Sequence, residues 1–196
     1  MKILRKKYYL DFFFPKFCLN CQRVNNSYLC FSCFKKINYN GAIIKSPLLN
    51  VTESIVIGSS DDPILNQLIK AYYFKGIKEI AIILAELFRI FWQGKNFNKP
   101  INYYLRAFPE NNLAISRRGY NANLEVSRLI ATHFNYPLIT RNNKKKPEEI
   151  NLLIFSIFQV PEKKLKKLLL TLPKAKKIYL VLLVEKEAKN NFTNYL

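Results

Sequence analysis

The sequence predicts an α/β fold in which helices alternate with the strands of a parallel sheet. Three observations carry that prediction. Ile178 to Val184 reads IYLVLLV, a continuous apolar run with β-branched residues, as expected of a parallel strand buried on both faces. Ser54–Gly58 and Ile101–Phe108 are further strand-like runs. Between these runs lie stretches with apolar residues at helical spacing.

The 196-residue chain reads as two units, a module over residues 1–45 and a larger domain over 46–196. The first opens with an aromatic, basic lead from Lys6 to Phe17, holds every cysteine of the chain, and continues into Phe34, Lys35 and Lys36. A spacer from Asn38 to Val51 carries Gly41 and Pro47. In the second unit the strand Ser54–Gly58 precedes Asp61-Asp62-Pro63, where an Asp cap before Pro marks a helix start. Helices are predicted over Ile64–Tyr73 and, after Gly76, over Ile77–Phe91. Another is predicted over Tyr120–Phe134, with Val126, Leu129 and Ile130 toward a core. Arg141 to Glu149 is loop-like, and Lys163, Lys164, Lys166 and Lys167 read as a solvated helix face with Leu165 and Leu168–Leu170 inward. No internal repeat is present.

The four cysteines fall as two C-x-x-C pairs, Cys18 with Cys21 and Cys30 with Cys33. Each C-x-x-C turn aims two sulfurs at one point, and two such turns complete a tetrahedral site for zinc. With four thiolates the site is closed, so the metal holds structure and does not catalyse. Disulfides suit a secreted chain, but the N-terminus MKILRKKYYLDFFF lacks the small-residue cleavage site of a signal peptide.

Thirty-two Lys and Arg against thirteen Asp and Glu give a formal charge of +19. Zinc on four thiolates would leave about +17. Such an excess attracts polyanions: nucleic acid, acidic membrane or phosphorylated small molecules. A proteome rich in Lys, Asn and Ile produces the same excess with no specific partner, and stretches such as LPKAKK and RNNKKK carry that bias. The most apolar helix, Ile80 to Trp92, is interrupted by Glu86 and Arg89 and reads as amphipathic, which predicts a soluble, cytoplasmic protein with no transmembrane segment. His133, the sole histidine, has no acid or thiol at helical spacing and reads as a surface or capping residue. No Ser/His/Asp set, H-E-x-x-H, Walker A loop or G-x-G-x-x-G occurs.

The order of these features resembles the ComF family of bacterial competence proteins, which join a zinc ribbon to a type I phosphoribosyltransferase-like domain. The resemblance starts at Leu10-Asp11-Phe12-Phe13-Phe14-Pro15, runs through Cys18, Cys21, Cys30 and Cys33, and continues in ILNQLIKAYYFKG from Ile64 to Gly76, where Tyr73 stands in place of a lysine. Pro109 fits the family's V-P element. Ser116-Arg117-Arg118-Gly119-Tyr120-Asn121 matches its R-G-[FY]-N-Q signature, with Ala122 for the glutamine. The likeness covers about residues 10–135. It implies a phosphoribosyltransferase-like sheet, a structural zinc, and phosphate or nucleic-acid contacts at Arg117, Arg118 and Asn121.

Beyond residue 135 the chain departs from the family. Lys144, Lys145 and Lys146 match its basic stretch, but Pro147-Glu148-Glu149 and the run after it do not. After the last strand, type I phosphoribosyltransferases carry D-D-x-x-T-T-G-x-T, whose acids hold the ribose and whose small residues wrap the 5′-phosphate. Here Glu185 and Lys186 replace the acids, Lys189 and Asn190 the threonines, and Asn191 the glycine; Thr193 alone matches. A Lys cannot take over a carboxylate's work on ribose hydroxyls or Mg²⁺. In the family a helix and a strand come after this loop, so the resemblance implies a C-terminal part truncated, frame-shifted or drifted relative to an intact ancestor. The expectation is a ComF-like factor of natural transformation, binding single-stranded DNA, with the competence helicase as a partner and no transferase activity. The alternatives are a phosphoribosyltransferase using PRPP and Mg²⁺ in nucleotide metabolism, or a degenerate remnant of one.

Overall fold

A computed structural model describes residues 15–39, 41–45, 51–59, 61–95, 103–140, 150–172 and 175–184. Its centre is a five-stranded sheet in the order β1-β2-β5-β4-β3, comprising β1 (Ile43–Lys45), β2 (Glu53–Gly58), β3 (Tyr103–Ala107), β4 (Ile150–Ser156) and β5 (Ala175–Val184). All neighbours run parallel except β1, which pairs antiparallel to β2 at one edge. The helices are α1 (Phe31–Phe34), α2 (Pro63–Phe74), α3 (Ile80–Gly94), α4 (Asn112–Arg118), α5 (Ala122–Phe134) and α6 (Glu162–Leu169).

The apolar run 178–184 forms the part of β5 that lies between β2 and β4, and side-chain alternation explains why it is apolar throughout. Tyr179, Val181 and Leu183 face a core shared with α2, α3 and α5. Leu180 and Leu182 face a second core, where Leu165 and Leu168 of α6 cover the opposite side. β2 and β4 divide in the same way: Ile55, Leu153 and Phe155 face the first core, and Val56, Leu152 and Ile154 the second.

Local chemistry sets the helix boundaries. Asp62 caps α2 by accepting from Leu65 N at 2.8 Å, and Pro63 opens the first turn. The predicted helix over Ile77–Phe91 begins instead at Ile80, because bonds three residues apart from Ile80, Ala81 and Ile82 hold residues 77–79 in a tighter turn. The predicted start at Tyr120 moves to Ala122, since Asn121 is the cap. Leu129, predicted to face inward, is 37% exposed and lies beside the stripe of Ala122, Val126 and Ile130. Leu170 is 86% exposed because α6 ends at Leu169.

Two strands and two helices, the four-residue α1 among them, have no counterpart among the elements predicted from sequence. The spacer 38–51 contains β1, β4 comes after the lysine-rich stretch, and α4 precedes Gly119. Gly41 is where the chain approaches β2: a Cβ there would stand 1.7 Å from Val56 O. Buried Cys18, Leu29, Cys33 and Ile37 belong to the same core as the first sheet face, and Asn38 N donates to Asp62 Oδ2 at 2.8 Å. The cysteine segment therefore packs directly on the α/β core. No helix among the described residues is long and apolar enough to cross a membrane.

Candidate functional site

The first knuckle is a tight hairpin. Phe17 and Val24 form an antiparallel bridge, Cys18 N donates to Arg23 O at 2.9 Å, and Gln22 N donates to Cys18 O at 2.8 Å. Gln22 takes φ 59°, the left-handed conformation that closes such a turn. The second knuckle starts at Cys30, which precedes α1, with Phe34 N donating to Cys30 O at 2.9 Å.

These turns bring all four Sγ atoms within 4.8 Å of one another. Cys21 Sγ and Cys30 Sγ are 3.7 Å apart. A disulfide requires about 2.05 Å, whereas a tetrahedral S₄ site with bonds of about 2.3 Å has edges near 3.8 Å. The thiols are free, and the cluster could hold a metal ion such as zinc. Cys30 N donates to Cys18 Sγ at 3.4 Å and Asn20 Nδ2 to Cys33 Sγ at 3.2 Å, contacts that orient the sulfurs and stabilise thiolates. Burial works to raise the Cys18 thiol, but backbone N–H groups of Cys21, Cys30 and Asn20 outweigh it and bring it down to about 6. At Cys33 the Asn20 amide pulls downward, yet desolvation and the neighbouring thiols prevail and push it up to about 11.

The second cluster lies at the carboxyl edge of the sheet, where open α/β folds bind ligands. Gly119, at φ 78°, ends α4, and Arg117 and Arg118 occupy the last turn of that helix. The two arginines part there. Arg117 is exposed, while Arg118 turns inward and pairs with Glu110 at 2.5 Å, each side chain only 7% exposed. Its guanidinium lies 4.3 Å from the centre of the Tyr73 ring. Glu110 Oε2 also accepts from Ala122 N at 2.9 Å, and Oε1 accepts from Tyr73 Oη at 2.8 Å and Asn123 N at 3.3 Å. Asn121 Oδ1 accepts from Leu124 N at 2.9 Å. The α5 N-terminus, the natural place for a phosphate after Gly119, is therefore already filled by a carboxylate and a cap belonging to the chain. Desolvation, joined by the Glu110 charge and hydrogen bond, raises the Tyr73 hydroxyl well above its ordinary value, so it stays a donor.

The remaining R-G-Y-N residues are equally structural in their contacts. Tyr120 Oη donates to Tyr72 O, and Tyr72 Oη donates to Ala122 O at 3.0 Å. Asn123 ties two strand ends together: Nδ2 donates to Phe108 O at 3.1 Å and Oδ1 accepts from Ile157 N at 3.0 Å. Sequence reasoning missed both Glu110 and Asn123, and no local pattern marks an acid whose partners lie 8, 12 and 37 residues away. A cleft of about 70 Å³ at this edge is lined by Tyr73, Glu110, Arg118, Ser156 and Lys164. A second, of about 250 Å³, is lined by Arg106, Ile115 and Asn121. Both are smaller than the ~300–1,000 Å³ usual for small-molecule sites.

Glu185, Lys186, Lys189, Asn190, Asn191 and Thr193 lie outside the described residues, as do Leu10 to Phe14 and Lys144 to Lys146. The last described residue before the first group, Val184, pairs with Gly58 where β5 and β2 reach the same carboxyl edge. His133 is exposed in the last turn of α5. No protein-family model matches the chain, and no curated protein matches it.

Proposed function

We propose that this chain is a ComF-like, zinc-holding α/β protein that binds single-stranded DNA during DNA uptake and does not transfer phosphoribosyl groups. The observation that carries the proposal is the formal charge of +19. Much of it is presented on exposed side chains such as Lys35, Lys36, Arg117, Lys164 and Lys167. The acids are already counted in that net figure, and Glu110 with Arg118, Glu125 with Lys78 and Arg128, and Glu162 with Lys166 are paired within the chain. Zinc fits the four sulfurs in donor type and spacing and would supply rigidity, with no open position for a reactant. The competence helicase is the partner the family likeness suggests.

The test is binding of labelled single-stranded DNA by zinc-loaded protein at low and physiological salt. Micromolar or tighter affinity that falls at least about ten-fold between the two salts is expected, because phosphate contacts release counterions. A folded, zinc-loaded protein that does not bind at low salt sinks the proposal. Arg117→Ala is the appropriate variant; changing Arg118 as well would break the buried pair with Glu110 and confuse binding with folding.

A second reading, transfer from PRPP with Mg²⁺, draws on one observation. Arg118 Nε is buried, lacks a hydrogen-bond partner among the described residues, and belongs to a side chain lining the smaller cleft. Against it stand the dimensions of that cleft and the Glu185-Lys186 pair where two acids are required. Calorimetric titration with PRPP and Mg²⁺ is expected to give no heat of binding, and a saturable signal would reverse the preference.

A further inference from the structure

The cysteine segment carries features that metal binding does not use. From Pro15 to Tyr39 it holds Lys16, Arg23, Lys35 and Lys36 and no acidic residue. A zinc ion on four thiolates takes back about two charges, which leaves the segment positive. Three large apolar side chains stand out from it: Phe17 is 51% exposed, Val24 67% and Phe31 71%. Single exposed apolar residues are ordinary, but two of these are paired and the third, Phe31, is next in sequence to the candidate metal ligand Cys30. Phe17 and Val24 face each other across the bridge. The flanking bonds, Asn25 N to Lys16 O and Cys18 N to Arg23 O, both 2.9 Å, make them a non-hydrogen-bonded pair, whose side chains stand closest together on one face. Phe31 opens α1 on the other knuckle, and the two knuckles meet at Cys21 Sγ and Cys30 Sγ, 3.7 Å apart. Lys35 Nζ sits 4.3 Å from the centre of the Phe31 ring.

We propose that this face is a base-stacking platform for single-stranded DNA, on which Phe31 and Phe17 receive unpaired bases while Arg23, Lys35 and Lys36 meet the backbone phosphates. The assignment deepens the DNA-binding reading and rests on it. Charge decides the class of partner: exposed rings in a segment of net positive charge, with Lys35 at the Phe31 ring and no acid in the segment, complement a polyanion. Ring accessibility decides the strand state, because a single strand offers free base faces and a duplex does not. Lys35 has the reach to do both jobs. Its flexible stem lets the ammonium leave the ring for a phosphate when a base takes its place.

The experiment uses full-length, zinc-loaded protein with two probes of equal length, an oligothymidylate and an abasic oligomer. The variants are Phe31→Ala and Phe17→Ala, singly and together, with zinc content and circular dichroism confirming that each is folded. Phe31→Ala is expected to lose about ten-fold in affinity for oligothymidylate and to leave abasic binding unchanged. Lys35→Ala is expected to weaken both probes. If wild-type protein binds oligothymidylate and the double variant binds it equally well, the platform is wrong while the DNA-binding reading stands. If wild-type protein binds neither probe, both fall together. Should the phenylalanine variants lose binding only to vesicles containing anionic phospholipid, the face serves a membrane and the proposal is overturned.

Discussion

The Glu110 carboxylate holds the Arg118 guanidinium at 2.5 Å while also accepting from Ala122 N at the start of α5. One buried acid thus joins the end of one helix to the beginning of the next. Between them Gly119 supplies the left-handed turn and Asn121 the cap. The R-G-Y-N stretch reads in sequence as a phosphate contact, and in the folded chain Arg118, Gly119, Tyr120 and Asn121 all have internal structural duties.

The two neighbouring arginines should behave oppositely on substitution. Arg118→Ala leaves Glu110 charged and buried without its cation, which typically costs about 3–5 kcal/mol. Arg117→Ala, on an exposed side chain, should change stability by less than about 0.5 kcal/mol. Urea unfolding of the two single variants checks the contrast.

Glycine replacements separate backbone strain from steric exclusion. At Gly119 an added Cβ would meet nothing within 4 Å, so Gly119→Ala should cost only the left-handed conformation, about 1–2 kcal/mol. At Gly41 the Cβ would collide with Val56 O, and the collision is with backbone that cannot rotate away. Gly41→Ala should therefore be the more damaging change, with raised amide hydrogen exchange in β1 and β2 as its local signature.

Asn123 should be intolerant of a near-isosteric change. Asn123→Asp keeps the acceptor for Ile157 N but removes the donor to Phe108 O and places a carboxylate in a site only 3% exposed. A loss of about 2 kcal/mol or more is expected in thermal or urea denaturation. Asn121→Ala, which removes only a helix cap, should cost about 1 kcal/mol.

Metal removal should be felt well beyond the knuckles. Cys18 and Cys33 belong to the core that contains Ile55 and Leu183, so loosening the sulfurs disturbs the sheet face. Protein as purified should carry close to one zinc per chain, lost in the Cys30→Ser, Cys33→Ser variant. A chelator should lower the thermal midpoint by roughly 10 °C, at ~2–4 °C per kcal/mol. Because protons compete with the metal for the thiolates, zinc affinity should fall as pH is lowered, measurable by competition with a colorimetric chelator.

The sequence by itself determined the parts whose signals are local. Cysteine spacing is a statement about turns of a few residues, and the sulfurs come together as that spacing requires. The run at 178–184 announced a buried strand because every second side chain must be apolar on each face, and helices α2, α3 and α5 carried their caps or their period in contiguous residues. Only the tertiary structure decided the rest. β4, INLLIFS, is an apolar run of the same kind as 178–184 and carries the same local signal, overlooked behind the lysine-rich stretch. What only the tertiary structure decided is its place, between β3 on one side and β5 on the other. The duty of Arg118 could not be read from its neighbours either, since an arginine is identical in sequence whether it meets solvent or a buried carboxylate. Glu110, Tyr73 and the start of α5 become neighbours only after the sheet has brought the end of β3 beside α2 and α5, and burial then turns an ordinary charge into a structural tie.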